Sequence, residues 1–328
     1  MLGVLYAALG AFTFALNNVA MRRGVVTGNV LQGMAMTVPI GGLSFLIMTI
    51  AFGQLAQLVV YPAAALAWLA GQGIVHFVLG RYCNYKSNQL MGVNLAAPVV
   101  QLQVAFAMML AVAVLHEKFT VLQVIGSILM LGGSFVTQIK TGKGGKHASA
   151  PIPAFRPRIV SGYGFALGAA VFYGASPLMA RQAFLYAPGA STAAAGCLAY
   201  GAASLFFALI LLKPGSWGVI AATSRENLPW FLSSAVLVAI SQAFVYASLA
   251  VAPLMVVTPI LQLSLIFRLL LSQWINREHE VMNTAVIVGA FTAVAGSLLV
   301  SIPSDLLAQW LDLPSALADF LSFRLAGG

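Results

Sequence analysis

The chain has 328 residues, of which 61% are hydrophobic and only 7% are charged, and its formal net charge is +9. Soluble domains carry about 25% charged residues, so this composition excludes a soluble globular protein and indicates one that exposes apolar side chains to lipid. The Lys and Arg residues lie between apolar runs and form no basic patch interleaved with aromatic residues, which favours charges flanking membrane spans over a nucleic-acid partner.

The apolar runs of the first half predict five membrane-spanning helices. A span needs about 20 apolar residues, and these runs lack the alternating polarity of barrel strands. They occupy residues 1–21, two stretches within 24–80 that are separated by Gly53 to Pro62, 87–115 and 119–139. Residues 140–158, which are basic and rich in Gly and Pro, follow as a linker.

Five further runs predict a second set of spans, followed by a different kind of tail. The runs occupy residues 159–180, 190–212, 229–249, 251–275 and 282–302. In the tail, residues 303–328, Asp305, Asp312 and Asp319 recur at regular intervals among apolar residues, and Pro314 interrupts the pattern. We therefore expect one or two short amphipathic helices that lie at the membrane interface.

The two halves repeat along the chain, with most matches at one spacing and with Gly126 and Gly133 matching Gly289 and Gly296 at a slightly larger one. The segment Pro98 to Gln101 matches Pro259 to Gln262, Phe106 matches Phe267, and Glu117 matches Glu278. Because each half holds an odd number of spans, the second half enters the membrane from the opposite side. The sequence therefore predicts an all-α membrane protein of ten transmembrane helices, arranged as two inverted five-helix repeats at residues 1–139 and 159–302.

The repeated pattern of Pro, Glu and Gly resembles a known family. Pro98, Glu117 and Gly126, with Pro259, Glu278 and Gly289 in the second half, are similar to the EamA-like domain, which occurs in tandem in the drug/metabolite transporter (DMT) superfamily. The resemblance covers nearly the whole chain except the tail. It implies a ten-helix carrier whose cavity is lined mainly by helices one, three and four and by their counterparts six, eight and nine. It implies no particular substrate.

The charge distribution predicts an orientation. Most Lys and Arg residues, including Arg22, Arg23 and Lys140, fall in the loops that follow odd-numbered spans. Positively charged loops remain in the cytoplasm. We therefore expect a multi-pass protein of the bacterial inner membrane with both termini on the periplasmic side.

Polar side chains inside the spans are candidate substrate-binding groups, because such groups are costly in lipid and mark functional sites. The candidates are Asn17, Asn18, His76, Arg81, Asn84, Asn94, Gln101, Ser176, Gln242, Tyr246, Gln262 and Arg268. Arg81 has an equal alternative as a side chain that snorkels to the interface, and Arg268 has the alternative of snorkelling toward Arg277. Gln101 and Gln262 have an equal alternative as helix-packing amides. His76 has the alternative of a buried neutral imidazole.

Two further groups of residues have predicted structural roles. Pro98 and Pro259 each remove a helical hydrogen bond and predict a bend. Glu117 with Lys118, and Arg277 with Glu278, are predicted ion pairs at helix ends. No spacing of His, Cys, Asp or Glu indicates a metal, and no cofactor is expected.

The intramembrane charges indicate the class of substrate. No Asp or Glu lies inside a predicted span, whereas Arg81, Lys86 and Arg268 lie in or near one. We expect a secondary transporter that works by alternating access on small metabolites with a carboxylate or other anionic group, such as an amino acid or an organic acid, with an ion gradient as a candidate driving force. A lipid or lipid-linked-substrate flippase of the same fold is the alternative. An integral membrane enzyme is disfavoured, because no convergent catalytic set is present.

Overall fold

In a computed structural model of the protein, the chain forms a bundle of apolar helices, and the structure describes residues 2–115, 119–142, 157–251 and 260–325. Within these ranges seven helices are long and apolar enough to cross a membrane, and three shorter apolar helices accompany them. Apart from one pair of two-residue strands, the described regular elements are helical. The predicted all-α membrane fold class is confirmed at this level.

The first half contains seven described α-helices. They are α1 (Leu2–Thr27), α2 (Val30–Ala51), α3 (Ala63–Gly73), α4 (Arg81–Met91), α5 (Val93–Val100), α6 (Gln103–Leu115) and α7 (Val121–Gly142). A 3-10 turn at Leu55–Val59 lies in the predicted break before α3. A π-helical segment at Ile74–Gly80 joins α3 to α4, so that residues 63–91 form one long rod.

The second half and the tail contain eight described α-helices. They are α8 (Ile159–Tyr186), α9 (Thr192–Leu211), α10 (Ser216–Ala221), α11 (Leu228–Val251), α12 (Ser264–Ile275), α13 (Thr284–Ser301), α14 (Ser304–Trp310) and α15 (Ser315–Ser322). Residues 143–156, which contain most of the predicted linker, lie outside the described residues, as does Pro259.

The fourth predicted span begins later than the sequence suggested. Residues 87–91 belong to α4, and the new helix begins at Val93 because Gly92 adopts φ = +87° and ends the preceding helix. A positive φ of this size is costly for any residue with a Cβ. The polar run from Arg81 to Gln89 is therefore helical and forms the last turns of the rod of residues 63–91.

Both halves contain an interrupted helix at equivalent positions. The turn between α5 and α6 is at Gln101 and Leu102, one turn after Pro98. The turn before α12 is at Gln262 and Leu263. The repeat spacing found in the sequence therefore corresponds to an equivalent change of backbone course in the two halves.

Helices α7 and α13 cross at their glycines. A Cβ added to Gly126 would lie 2.6 Å from the Gly296 carbonyl oxygen, and a Cβ added to Gly296 would lie 2.5 Å from the Gly126 carbonyl oxygen. A Cβ on Gly133 would likewise lie 2.5 Å from the Gly289 carbonyl oxygen. Small residues that allow close backbone approach are typical of helix pairs in membranes.

Replacing Gly296 by Ala is therefore expected to separate α7 from α13 and to destabilise the protein. Overpacking of this kind costs about 1–3 kcal/mol, and we expect Tm in detergent to fall by several degrees. Gly132→Ala is the matched control, because a Cβ there would meet nothing within 4 Å. Equal Tm values for the two variants would show that the helices can move apart freely.

The tail forms two short helices with exposed apolar side chains. Helices α14 and α15 are separated around Pro314, and Trp310, Leu311 and Phe320 are exposed. The described part of the tail ends in a two-residue strand, Arg324–Leu325, that pairs antiparallel with Phe119–Thr120 just before α7. Whether these helices lie in the membrane interface stays a prediction.

Candidate functional site

A cavity of about 360 Å³ lies at the centre of the bundle, and we call it the central cavity. Its walls come from α1, the rod of residues 63–91, the two helix interruptions, α8, α11 and α12. The lining residues are Gly10, Ala11, Phe14, Asn17, His76, Arg81, Asn84, Tyr85, Gln101, Gln103, Tyr173, Pro177, Val238, Ser241, Gln242, Val245, Leu261, Gln262, Ser264 and Arg268. These elements correspond to the helices that the family resemblance implied as the cavity wall.

The cavity brings together most of the predicted binding residues. Those on its wall are Asn17, His76, Arg81, Asn84, Gln101, Gln242, Gln262 and Arg268. They come from both halves of the chain. Their role in binding stays a prediction, but their convergence on one space is a property of the fold.

Three predicted binding residues do not line the cavity. Asn18 accepts hydrogen bonds from Asn84 (3.1 Å) and Asn88 (3.4 Å). Asn94 accepts one from the Ser272 hydroxyl at 2.6 Å, and Ser176 accepts one from the Gln72 amide at 3.0 Å. These side chains join helices to one another.

The Tyr246 side chain lies outside the described residues, although its backbone belongs to α11. Its predicted contact with substrate therefore stays a sequence-based expectation.

Arg268 is the least satisfied charged group on the cavity wall. Its residue is 4% exposed, and its Nε has no hydrogen-bond partner among the described residues. Its guanidinium carbon lies 4.9 Å from the centre of the Phe14 ring. A cation held over an aromatic ring gains some stabilisation, but a buried charge is costly without a counter-charge. Arg268 is therefore suited to receive an anion from the cavity.

Arg81 is held more firmly than Arg268. Its guanidinium donates hydrogen bonds to the Thr37 carbonyl at 3.0 Å and to the Tyr200 hydroxyl at 2.8 Å. It also lies 5.3 Å from the Phe77 ring centre and 5.6 Å from that of Tyr200. Arg81 is only 4% exposed, and its guanidinium is held inside the bundle, which favours a wall residue over a snorkelling one. Arg81 contributes positive charge to the wall while its contacts fix its position.

His76 and the paired glutamines lie on the same wall. His76 belongs to the π-helical segment, and its ring centre is 4.6 Å from that of Tyr173 on α8. Its Nδ1 has no hydrogen-bond partner among the described residues. The Gln101 amide donates a hydrogen bond to the Gln262 side-chain oxygen, so the two helix interruptions meet across the cavity.

Sequence reasoning missed several wall residues, notably Phe14, Tyr85, Tyr173 and Ser241. Phe14 on α1 and Tyr173 on α8 have the same separation along the chain as the predicted residues Asn17 and Ser176. The repeat could therefore have identified the aromatic pair. Tyr85 likewise matches the predicted residue Tyr246 at the spacing that matches Gln101 with Gln262, so the repeat could have identified it too. Ser241 left no comparable signal in the sequence.

The ion pair at the helix end differs from the predicted one. Arg277 and Glu278 are both exposed in a 3-10 turn and form no ion pair with each other. Arg22 instead pairs with Glu280, with Nε and Oε1 3.1 Å apart and both side chains almost fully buried. Glu117 and Lys118 lie outside the described residues.

Glu280 is held as an acceptor at the start of α5. Its oxygens accept backbone hydrogen bonds from Val93 at 2.8 Å and Asn94 at 3.0 Å. Burial raises the pKa of Glu280, and the positive charge of Arg22 and these backbone groups oppose that rise. The preceding Gly92 leaves room for the carboxylate, since a Cβ there would lie 2.6 Å from Oε2.

The electrostatic character of the central cavity is cationic. Two arginines line it, and no Asp or Glu is found among the lining residues that the structure describes. No cluster of three or more metal-binding side chains occurs within the described part of the chain. Chemically the wall can offer a guanidinium, several amides and aromatic faces to a small solute.

Comparison with known proteins relates the first half of the chain to a family and nearly the whole chain to a known fold. Residues 1–139 match the model of the EamA-like transporter family. A solved structure described only as "Crystal structure of protein" matches with a TM-score of 0.53 and 17% sequence identity, over 93% of this chain and 98% of that one. At that identity the likeness shows the fold alone. No curated protein matches the chain.

Proposed function

We propose that this multi-pass membrane protein, whose residues 1–139 form an EamA-like domain of the DMT superfamily, is a secondary carrier of small anionic metabolites. The carrier consists of ten spans in two inverted repeats and works by alternating access. One observation carries the proposal: the buried Arg268 guanidinium faces the central cavity and lacks a partner for Nε among the described residues, and the described lining of that cavity contains no carboxylate.

The packing of the helices supports the repeat. Helix α1 packs on α11, and its counterpart α8 packs on α3 and α4, which are the counterparts of α11. In the same way α1 packs on α12, and α8 packs on α6, which is the counterpart of α12. α2 pairs with its own counterpart α9, and α7 with α13. This pattern is unchanged when the two halves are exchanged. When the three shorter apolar helices are counted as spans, each half has five. Because five is an odd number, the second half crosses the membrane in the opposite sense, and the two repeats are inverted.

The position of the cavity supports alternating access. Carriers built from inverted repeats bind substrate near the membrane midplane, where interrupted helices from the two repeats meet. Here the interruptions at Gln101 and Gln262 are in direct contact and both line the central cavity. A rocking motion of one half against the other would change which end of the cavity is open.

The size and charge of the cavity support the substrate class. Pockets for small molecules have volumes of about 300–1,000 Å³, and 360 Å³ lies at the lower end of that range. Arg268 can bind a carboxylate or phosphate in a bidentate manner. The amides of Gln101, Gln242 and Gln262 can bind further polar groups of the same solute.

The test is solute counterflow in liposomes that contain the purified protein. Liposomes preloaded with one unlabelled solute are supplied externally with the labelled form, across a panel of organic acids, amino acids, neutral sugars and organic cations. We expect accumulation of at least one anionic or zwitterionic solute and none of the cations. Protein-free liposomes are the control. Translocation of fluorescent lipid with no solute counterflow would contradict the proposal and favour the flippase alternative.

A further inference from the structure

Several polar atoms of the central cavity wall are not satisfied within the protein. Four enclosed atoms of lining residues have no hydrogen-bond partner in the described part of the chain: His76 Nδ1, Asn84 Oδ1, Tyr85 Oη and Arg268 Nε. Buried polar groups in folded proteins are nearly always hydrogen-bonded. Several exceptions around one cavity therefore indicate groups that a bound solute would satisfy, and their chemistry constrains what that solute is.

Two of these atoms can adapt to their partner and two cannot. A neutral imidazole nitrogen donates or accepts according to its tautomer, and a tyrosine hydroxyl can do either, so His76 and Tyr85 set no requirement. The Arg268 Nε can only donate, whereas the Asn84 Oδ1 can only accept. The solute must therefore bring an acceptor for Arg268 and, if the Asn84 amide cannot turn round, a donor for Asn84.

The Asn84 amide is held in one orientation by hydrogen bonds that begin at a backbone carbonyl. The Asn18 side-chain N–H donates to the Phe14 carbonyl at 2.8 Å, and a carbonyl can only accept. The Asn18 oxygen is therefore the acceptor for the Asn84 side-chain N–H at 3.1 Å. Turning the Asn84 amide round would bring two oxygens together, so its own oxygen is the atom that stays without a partner.

Asn88 reinforces this orientation from outside the cavity. Its side-chain N–H donates to the same Asn18 oxygen at 3.4 Å, so Asn18 cannot turn without losing both donors. Asn88 is buried and is not among the residues that line the cavity. Asn84 and Asn88 lie one turn apart on α4 and share one acceptor, but only Asn84 is placed to meet a solute.

The two fixed groups are both positioned by Phe14 on α1. The Phe14 ring centre lies 4.9 Å from the guanidinium carbon of Arg268, and the carbonyl of the same residue begins the hydrogen bonds that end at Asn84. Arg268 and Asn84 line the same cavity of about 360 Å³. A solute that spans the cavity can therefore place its anionic group at Arg268 and a second group at Asn84.

The charge of the wall decides which kind of donor fits Asn84. An ammonium group would bring a third positive charge to a wall that already contains Arg81 and Arg268, and no Asp or Glu lies among its described residues. An uncharged amide oxygen does not compensate a buried charge. A hydroxyl group donates to the same oxygen without this cost, so the wall favours a hydroxyl over the ammonium group of an amino acid.

We propose that Asn84 is a specificity-determining residue of the central cavity and that the solute is a hydroxy acid, with its anionic group at Arg268 and its hydroxyl group at Asn84. The proposal rests on the carrier function proposed above and narrows its substrate class. Asn18 is a positioning residue, because it fixes which end of the Asn84 amide is left for the solute.

The experiment measures the binding of matched acids to the purified protein in detergent, by thermal stabilisation during titration. Each set keeps one carbon skeleton, and its α-carbon carries a hydroxyl, an amino group, a carbonyl oxygen or hydrogen alone. The sets are lactate, alanine, pyruvate and propionate; malate, aspartate, oxaloacetate and succinate; and mandelate, phenylglycine, phenylglyoxylate and phenylacetate. In at least one set the hydroxy acid is expected to bind about tenfold more tightly than the other members, which leave the Asn84 oxygen unpartnered or add a charge.

Three variants assign this preference to the Asn84 oxygen. Asn84→Leu removes the acceptor and is expected to bind the hydroxy acid and its deoxy counterpart with equal Kd. Asn88→Leu is the matched control, since it removes the other donor to Asn18, and it should keep the ratio of Kd values found in the parent. Asn18→Leu frees the Asn84 amide to turn, so the keto acid is expected to gain affinity relative to the hydroxy acid. A general loss of stability would not move these ratios, and Tm without solute checks that each variant is folded.

The outcomes separate specificity at Asn84 from the carrier function. Equal binding of hydroxy and deoxy acids by the parent, tighter binding of an amino acid, or an unchanged ratio in folded Asn84→Leu protein would overturn the role of Asn84, and counterflow of another anionic solute would leave the carrier intact. Loss of the ratio in Asn88→Leu, or no binding by any set, would overturn it as well. If the acids bind as expected but none is exchanged in counterflow, the carrier function fails and Asn84 remains a binding residue for hydroxy acids.

Discussion

Replacement of Arg268 by Ala is expected to remove high-affinity binding of anionic solutes and their transport. Truncating one member of a buried charged pair costs about 2–5 kcal/mol, and a tenfold change in affinity corresponds to about 1.4 kcal/mol. We therefore expect Kd to rise by a factor of about 30 or more. The measurement is ligand-induced thermal stabilisation in detergent, followed by counterflow in liposomes.

Two further variants make the Arg268 result specific. Arg268→Lys retains the charge but loses the planar fork that matches a carboxylate, so its affinity is expected to lie between those of the parent and the Ala variant. Arg277→Ala removes an exposed arginine close to the end of the same helix and is expected to bind as the parent does. Normal binding by Arg268→Ala with loss in Arg81→Ala would move the anion site to Arg81.

Stability provides an independent check on the role of Arg268. A buried cation that lacks a partner for Nε destabilises the unliganded protein. Arg268→Ala is therefore expected to be at least as stable as the parent without solute, although it binds less. Arg81, by contrast, donates hydrogen bonds to Thr37 and Tyr200, so we expect the Arg81→Ala variant to have a lower Tm than the parent.

The repeat was the most informative feature of the sequence. A shared spacing linked Gln101 to Gln262, and the structure places a helix interruption at each and joins the two amides. In the inverted repeat that we propose, equivalent positions lie symmetrically about one axis, so a pair close to that axis meets. The spacing alone therefore carried three-dimensional information that polarity and hydropathy did not.

Local polarity was misleading where burial depends on distant parts of the chain. The run from Arg81 to Gln89 reads as the end of a span, yet Tyr200 and Thr37 accept hydrogen bonds from Arg81 inside the bundle. The sequence predicts Asn94 as a residue of the cavity wall, but its side chain accepts a hydrogen bond from Ser272 on α12 and does not line the cavity. None of these three partners is close in sequence to the residue it contacts, so no window along the chain could have identified it.

The prediction of an ion pair at Glu278 was wrong for a different reason, because the paired acid is Glu280. The spacing that matches Gln101 with Gln262 places Glu278 opposite Glu117, whereas the following helices align at the slightly longer spacing that matches Gly126 with Gly289. The second half therefore carries a short insertion between these two segments. No single spacing matches both pairs of segments. The structure distinguishes the two acidic residues, because Glu278 is exposed and the Glu280 side chain is buried.

Replacement of Gly73 by Ala is expected to destabilise the protein and to disturb the cavity together. A Cβ at this position would lie 1.9 Å from the carbonyl oxygen of Ala199 on α9. The obstacle is backbone, so no rotamer change relieves it, and α3 would have to move away from α9. Overpacking costs about 1–3 kcal/mol, and we expect a lower Tm for Gly73→Ala.

The position of Gly73 gives this clash its functional consequence. Gly73 ends α3 immediately before the π-helical segment that carries His76 and leads into Arg81. Single π turns are frequent at functional sites, and this one sets the rotation of the wall residues that follow. Weaker solute binding is therefore expected to accompany the lower Tm of Gly73→Ala.

Gly71→Ala is the matched control for Gly73→Ala. It lies on the same helix, but the added Cβ would meet only the terminal methyl of Met179, at 2.7 Å, and that methyl can rotate away. We expect Tm and affinity close to those of the parent. Equal stability and equal solute binding of Gly71→Ala and Gly73→Ala would contradict this prediction. That result would mean that α3 and α9 can separate without cost, and that the position of His76 does not depend on their close approach.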